Sequence, residues 1–125
     1  MQSFHDLVVW NKAHAVVLGV YTATRSFPTS ERYGLQVQLR RSASSIATNL
    51  AEGCGRSTAG SFAAFVEIAF ASASESEYQL LLSRDLGLLE EESYQSLCRD
   101  IVEVKKMLAK LHKTLEARAA RHRRP

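Results

Sequence analysis

Between Tyr94 and Leu115 the apolar residues Tyr94, Leu97, Ile101, Val104, Leu108, Leu111 and Leu115 alternate three and four positions apart without a miss. That period draws one stripe along an α-helix, whereas a strand repeats every second residue. A seam this long needs partner helices of similar length to bury it, so the rest of the chain is constrained to supply them. Punctuation agrees, because two prolines and six glycines in 125 residues are too few for the many turns of a β-sandwich or barrel. One domain accounts for that length.

Three further segments carry helical periodicity. The first runs from about Asp6, placed to cap it, to Arg25, with Leu7, Trp10, Ala13 or His14, Val17, and Val20 or Tyr21 on one face. It stops at Ser26-Phe27-Pro28, where proline lacks an amide proton and disfavours a helical predecessor. The second carries Leu35, Leu39, Ala43, Ile46 or Ala47 and Leu50, and ends at Gly53-Cys54-Gly55, read as a left-handed glycine cap. The third starts at Ser57 or Thr58 and continues to about Asp85. Small residues, Ala43, Ala47 and Ala51 on the second helix and Ala69, Ser72, Ala73 and Ser76 on the third, predict a tight hairpin. Gly87 breaks the third helix, and Glu90, Glu91 and Glu92 suit the positive end of the fourth helix's dipole. The expected fold is an all-α, antiparallel up-down-up-down four-helix bundle over residues 1–116, with helices at about 6–25, 30–53, 58–85 and 91–116. A basic tail, 117–125, is expected to fray.

Charge is unevenly spread. The net +3 divides into −4 over the first 104 residues and +7 over residues 105–125, where Glu116 is the one acid. A polyanion-facing end and a solvated basic helix terminus both fit that asymmetry. The start lacks a positively charged leader region, and the apolar run Ala15–Tyr21 is too short to span a bilayer, so no membrane partner is expected. Cys54 and Cys98 stand far apart without a CxxC pair, which points away from a disulfide framework and a zinc site and towards a reducing cytoplasm.

Catalytic chemistry finds no foothold. A di-iron bundle needs Glu-x-x-His pairs, and none of His5, His14, His112 or His122 follows a Glu by three residues. Gly53-Cys54-Gly55-Arg56-Ser57-Thr58 lacks the Lys-Ser/Thr ending of a phosphate-binding loop and follows a helix instead of a strand. Mid-helix and cap serines make no nucleophile elbow, and Cys54 has no His or basic residue fixed beside it except Arg56. Catalytic residues, metal ligands and cofactors are therefore expected to be none.

Polar residues at 41, 45, 49 and 52 share one face of the second helix. That face is either the wet side of the bundle or a subunit interface joined by Arg–carboxylate pairs among Arg41, Glu52, Arg56 and Glu75. Phe62, Phe65 and Phe70 cannot all face one inner core, so one of them is expected to be exposed at such an interface. For nucleic acid the candidates are Arg40, Lys105, Lys106, Lys110, Lys113, Arg118 and Arg121. Lys106, Lys110 and Lys113 share a face away from the seam, suited to a phosphate backbone. No helix-turn-helix, RNA-recognition motif or interleaved aromatic platform supplies sequence readout.

Several of these residues carry a family resemblance. Phe4-His-Asp-Leu-Val-Val-Trp10, Phe27-Pro28, Tyr33-Gly34-Leu35, Gln38-Leu39-Arg40-Arg41-Ser42, Asn49-Leu50-Ala51-Glu52-Gly53 and Gly55-Arg56 resemble the small four-helix proteins encoded in intervening sequences of bacterial 23S ribosomal RNA genes. The resemblance covers Phe4 to about Leu115. It implies a left-handed bundle assembling as a homopentamer, of poorly defined role, with ribosomal or other structured RNA as a suggested partner. A related branch, the accessory variability protein of diversity-generating retroelements, is a basic pentamer that binds nucleic acid and a reverse transcriptase. The family's motif positions carry over to Arg40, Arg41, Asn49, Glu52, Gly53, Gly55, Arg56 and Glu75. The chain departs from the family at Ala47, where a proline is usual, which predicts a straighter second helix. It departs again at Glu67, Phe70 and Ala71, which weakens nucleic-acid contact on that face and favours a protein contact at Phe70. The expected function is a non-enzymatic, cytoplasmic homo-oligomer contacting RNA through basic surfaces, the alternative being a scaffold for another protein.

Overall fold

The computed structural model describes residues 3–123, so Met1, Gln2, Arg124 and Pro125, assigned above to the bundle start and the tail, lie outside the described residues. Four helices carry the fold: α1 Val8–Thr24, α2 Leu35–Cys54, α3 Ala59–Asp85 and α4 Glu91–His122, with no strand among the described residues. The chain is all-α, and its helices pack as a bundle.

Residue pairs across neighbouring helices step in opposite senses. Ser42 meets Gln79 while Ser45 meets Ser72, and Lys12 pairs with Glu103 while Gly19 lies against Leu97. The α4 seam is buried at Leu97, Ile101, Val104, Leu108 and Leu115, with Tyr94 and Leu111 half-buried. It meets Val9, Val16, Val20, Leu39, Ile46, Leu50, Val66 and Leu80 in one core. Each large aliphatic side chain removed from water there contributes about 1.5–3 kcal/mol before the chain-ordering cost.

The small-residue hairpin forms as expected, and its seam is partly polar. Ser42 Oγ lies 2.7 Å from both Gln79 Oε1 and Ser76 Oγ, and Ser45 Oγ lies 2.8 Å from Ser72 Oγ. Gly53 is buried, and a methyl group there would stand 2.6 Å from Phe62 Cδ1 and 3.1 Å from Phe65 Cβ. The absent side chain lets α2 end against α3.

Several boundaries differ from the sequence reading. Asp6 does not cap α1; it belongs to a short 3-10 turn, Phe4–Asp6, and Leu7 precedes the helix without a side-chain cap. The second helix begins at Leu35 instead of residue 30, after a 3-10 turn at Thr29–Glu31, and Glu31 Oε1 accepts the Leu35 amide at 3.2 Å. From there α2 runs unbroken to Cys54, with Ala47 in its interior. Gly55 is right-handed at φ −81°, so the α2 end does not use a left-handed cap. Gly87, at φ 76°, is the residue that needs a glycine's freedom. There the amides of Gly87 and Leu88 bond Arg84 and Ser83 carbonyls at 2.9 Å, the paired bonds of a Schellman turn. Finally, α4 does not stop at 116. It continues to His122, with Ala119 buried and the Gly60 region of α3 beside it, so residues 117–122 are helix and not a frayed tail.

Candidate nucleic-acid interface

The fold divides the cations into those bonded internally and those left on the surface. A helix end leaves carbonyls without amide partners, and Arg40 meets that need at the end of α1. Its Nε donates to Thr24 Oγ1 at 2.9 Å, its Nη2 to Tyr21 O at 3.4 Å, and its guanidinium lies 4.5 Å from the Tyr21 ring centroid. Lys105 is likewise engaged, 2.9 Å from Glu77 Oε1 and 5.2 Å from the Phe70 ring centroid. Both were candidate polyanion contacts, and both are half-buried and engaged by residues well separated in sequence.

Lys106, Lys110, Lys113, Arg118 and Arg121 are exposed on α4, and among the described residues none forms an ion pair. The extension of α4 brings Arg118 to the turn between α2 and α3. A cleft of about 810 Å³ opens there, lined by Arg56, Ser57 and Thr58 of the turn, Phe62 of α3, Arg118 and His122 of α4, and Arg123 just past its end. No aspartate or glutamate lines it among the described residues. Arg56 is steadied over the Phe65 ring, 4.6 Å from its centroid. Thr58 starts α3 by accepting the Ser61 amide at 3.1 Å through Oγ1. His122 and Arg123 were not among the candidate site residues. A helix continuing at the seam's period past Leu115 through Ala119 was the signal that would have placed them.

The proposed interface residues separate differently. Arg41, Glu52, Arg56 and Glu75 are exposed and make no ion pair with one another in the single chain. Arg41 lies near Arg32 and Tyr33, by the end of α1, while Glu52 and Arg56 stand at the cleft end of α2. Asn49 is half-buried and donates to Ser45 O and Oγ at 2.8 and 2.9 Å, so it belongs to the hairpin seam. Gly53 is the close approach described above, and Gly55 is an ordinary right-handed residue.

The phenylalanine expectation is corrected. Phe62, Phe65 and Phe70 are all half-buried: Phe62 and Phe70 pack on the core, and Phe65 lies beneath Arg56. The exposed apolar stripe of α3 is instead Ala64, Ile68, Ala71 and Tyr78, with Glu75 interrupting it. Its four- and three-residue steps place it on one helical face.

An aromatic group that the sequence did not announce also forms. Trp10 and His14 rings stack at 5.1 Å and 7°, with Phe4 and His5 centroids 4.7 and 5.5 Å from Trp10. Trp10 Nε1 donates to Ala47 O at 3.2 Å, which fixes the indole against α2. The i, i+4 spacing of Trp10 and His14 on a helix was its sequence signal.

Cys54 is buried beside the cleft, and loss of solvation pushes its thiol above the usual range. Cys98 is half-buried. Iodoacetamide at mildly alkaline pH should therefore modify Cys98 before Cys54 in the native protein and both alike in urea, as read by peptide mass spectrometry. Faster labelling of Cys54 would revive a nucleophilic role for it. Among the described residues no group of three His, Cys, Asp or Glu side chains is placed to hold a metal ion, and no helix is long and apolar enough to cross a membrane.

Comparison with known proteins places this geometry. Among curated proteins none matches the chain. A crystal structure of a Bacteroides thetaiotaomicron protein with unknown function, from the S23 ribosomal protein family, is similar at 26% identity and a TM-score of 0.77, covering 85% of this chain and 99% of that one. The family described as 23S rRNA-intervening sequence protein matches residues 5–110, which takes in the Trp10 stack, the α2–α3 hairpin and most of the α4 seam. The chain belongs to the 23S rRNA-intervening sequence protein family.

Proposed function

We propose that the chain is a non-enzymatic homo-oligomer, a pentamer as its family resemblance implies, that contacts RNA or another polyanion through the basic end of its bundle. The observation that carries this reading is the convergence of Arg56, Arg118, His122 and Arg123 on one cleft with no aspartate or glutamate among its described lining residues. Lys106, Lys110 and Lys113 extend the positive surface along α4. Self-association is supported by the α3 stripe, where Ile68 and Tyr78 remain 49% and 59% exposed in the single chain. A ring of identical subunits would repeat the basic end, so modest local charge sums to a strong field.

Binding of a structured RNA hairpin, followed by fluorescence anisotropy, should weaken steeply between roughly 50 and 200 mM salt, with a log–log slope of about −0.9 for each duplex phosphate contacted. Replacing Arg56 and Arg118 with alanine should make that slope shallower by about 2. A salt-independent affinity, or an unchanged slope in the double variant, overturns RNA contact at this end. Light scattering on the same samples should give an oligomer at micromolar protein, and a monomer overturns the assembly. The second reading, a scaffold for another protein, draws on the same α3 stripe. It replaces the first if Ile68→Glu leaves the oligomer intact while RNA binding is absent.

A further inference from the structure

We infer that the cleft between the α2–α3 turn and the end of α4 is a binding site for a phosphate monoester, the group carried at the end of a nucleic-acid strand or on a free nucleotide. The inference deepens the polyanion reading, and it rests on the form of the site as much as on its charge. An unbroken backbone presents single negative charges along a rod, and an exposed row such as Lys106, Lys110 and Lys113 meets it from outside. A recess lined by Cys54, Phe62 and Leu115 as well as by the cations admits what projects from a chain, which is its end. Its volume of about 810 Å³ is large enough to admit a small molecule.

The charges match a dianion. Arg56 lines the recess from the turn and Arg118 from α4, and Arg123 adds a third guanidinium, with no aspartate or glutamate among the described lining residues. Guanidinium forks suit phosphate oxygens, which they bind with two parallel bonds. Arg56 stands two residues past the end of α2 and two before Thr58, the N-cap of α3, and stacking on Phe65 holds its guanidinium there. A doubly charged anion between Arg56 and Arg118 would meet both guanidiniums beside the N-terminus of α3. Ser57 and Thr58 bring hydroxyl donors to the same recess, and the apolar lining of Phe62 and Leu115 suits the nucleoside attached to the phosphate.

The test uses the full chain and single-stranded oligonucleotides of one sequence that carry a 5′-phosphate, a 3′-phosphate or hydroxyls at both ends. A phosphorylated end should raise affinity about tenfold or more, the scale of one or two additional charge-assisted bonds. Arg56→Gln and, separately, Arg118→Gln should abolish that preference, with thermal melting confirming that each variant folds. Lys110→Gln should weaken all three oligonucleotides alike and leave the preference in place. A nucleoside monophosphate that competes away the preference identifies the free nucleotide as a ligand too, whereas its failure to compete assigns the site to strand ends. Equal, salt-sensitive binding of all three oligonucleotides overturns the phosphate site and leaves the polyanion reading standing. If no oligonucleotide binds but the monophosphate does, and Arg56→Gln removes it, the site stands and the polyanion reading falls. No binding of either overturns both.

Discussion

Truncating Leu108 to alanine should destabilise the protein by about 2–5 kcal/mol, the range for a fully enclosed leucine whose removal leaves a cavity. Leu108 is 0% exposed and faces Val66 and Phe70 of α3. Leu111 occupies the next position of the same seam yet is half-buried, so Leu111→Ala should cost less than half as much. Urea denaturation of both variants at one fixed protein concentration gives the comparison, since assembly makes apparent stability depend on concentration. Equal losses at the two positions would contradict the packing described here. The pair is informative because periodicity treats the two leucines alike, and what separates them is how deeply each is buried.

Gly53→Ala should cost about 1–3 kcal/mol, as overpacking does where a methyl group is forced into a filled interior. The added carbon meets Phe62 Cδ1 at 2.6 Å and Phe65 Cβ at 3.1 Å; the first neighbour is a ring and the second is fixed to the backbone. Gly55→Ala, two residues on, should be neutral or stabilising by about 0.4–1 kcal/mol, because its φ of −81° is open to any residue and its nearest neighbour lies at 3.4 Å. Combining Gly53→Ala with Phe62→Leu should recover part of the loss, a non-additivity that marks direct contact. Thermal unfolding of the wild type, Gly53→Ala, Phe62→Leu, their double variant and Gly55→Ala decides the matter. If Gly55→Ala is the damaging change, glycine at this turn serves backbone conformation and not helix approach.

Much of the architecture was legible because it is local. The Tyr94–Leu115 seam, the stop at Pro28, the small-residue hairpin and the break at Gly87 each rest on neighbours a few residues apart, and period or backbone preference expresses them directly. The cations were not legible in that way. Lys105 and Lys106 are adjacent in sequence, yet one faces Glu77 and the other faces solvent, which depends on the rotation of α4 against α3. Arg40 and Arg41 divide similarly, by the position of the α1 end. The cleft unites Arg56 with Arg118 and Arg123 across two helices, and no periodicity links them. Its assembly depends on α4 running on to His122, beyond the last large apolar residue of the seam.

That extension has an evolutionary consequence. After Leu115, the described part of α4 buries only Ala119, while Arg118, Arg121, His122 and Arg123 project outward. Exposed substitutions of this kind usually shift stability by no more than about 0.5 kcal/mol. Mutation can therefore add, remove or reposition charge on this segment without threatening the core that the seam maintains. The charge carried by this end of the bundle is set largely by residues other than those that hold the bundle together, so it can change while the seam stays the same.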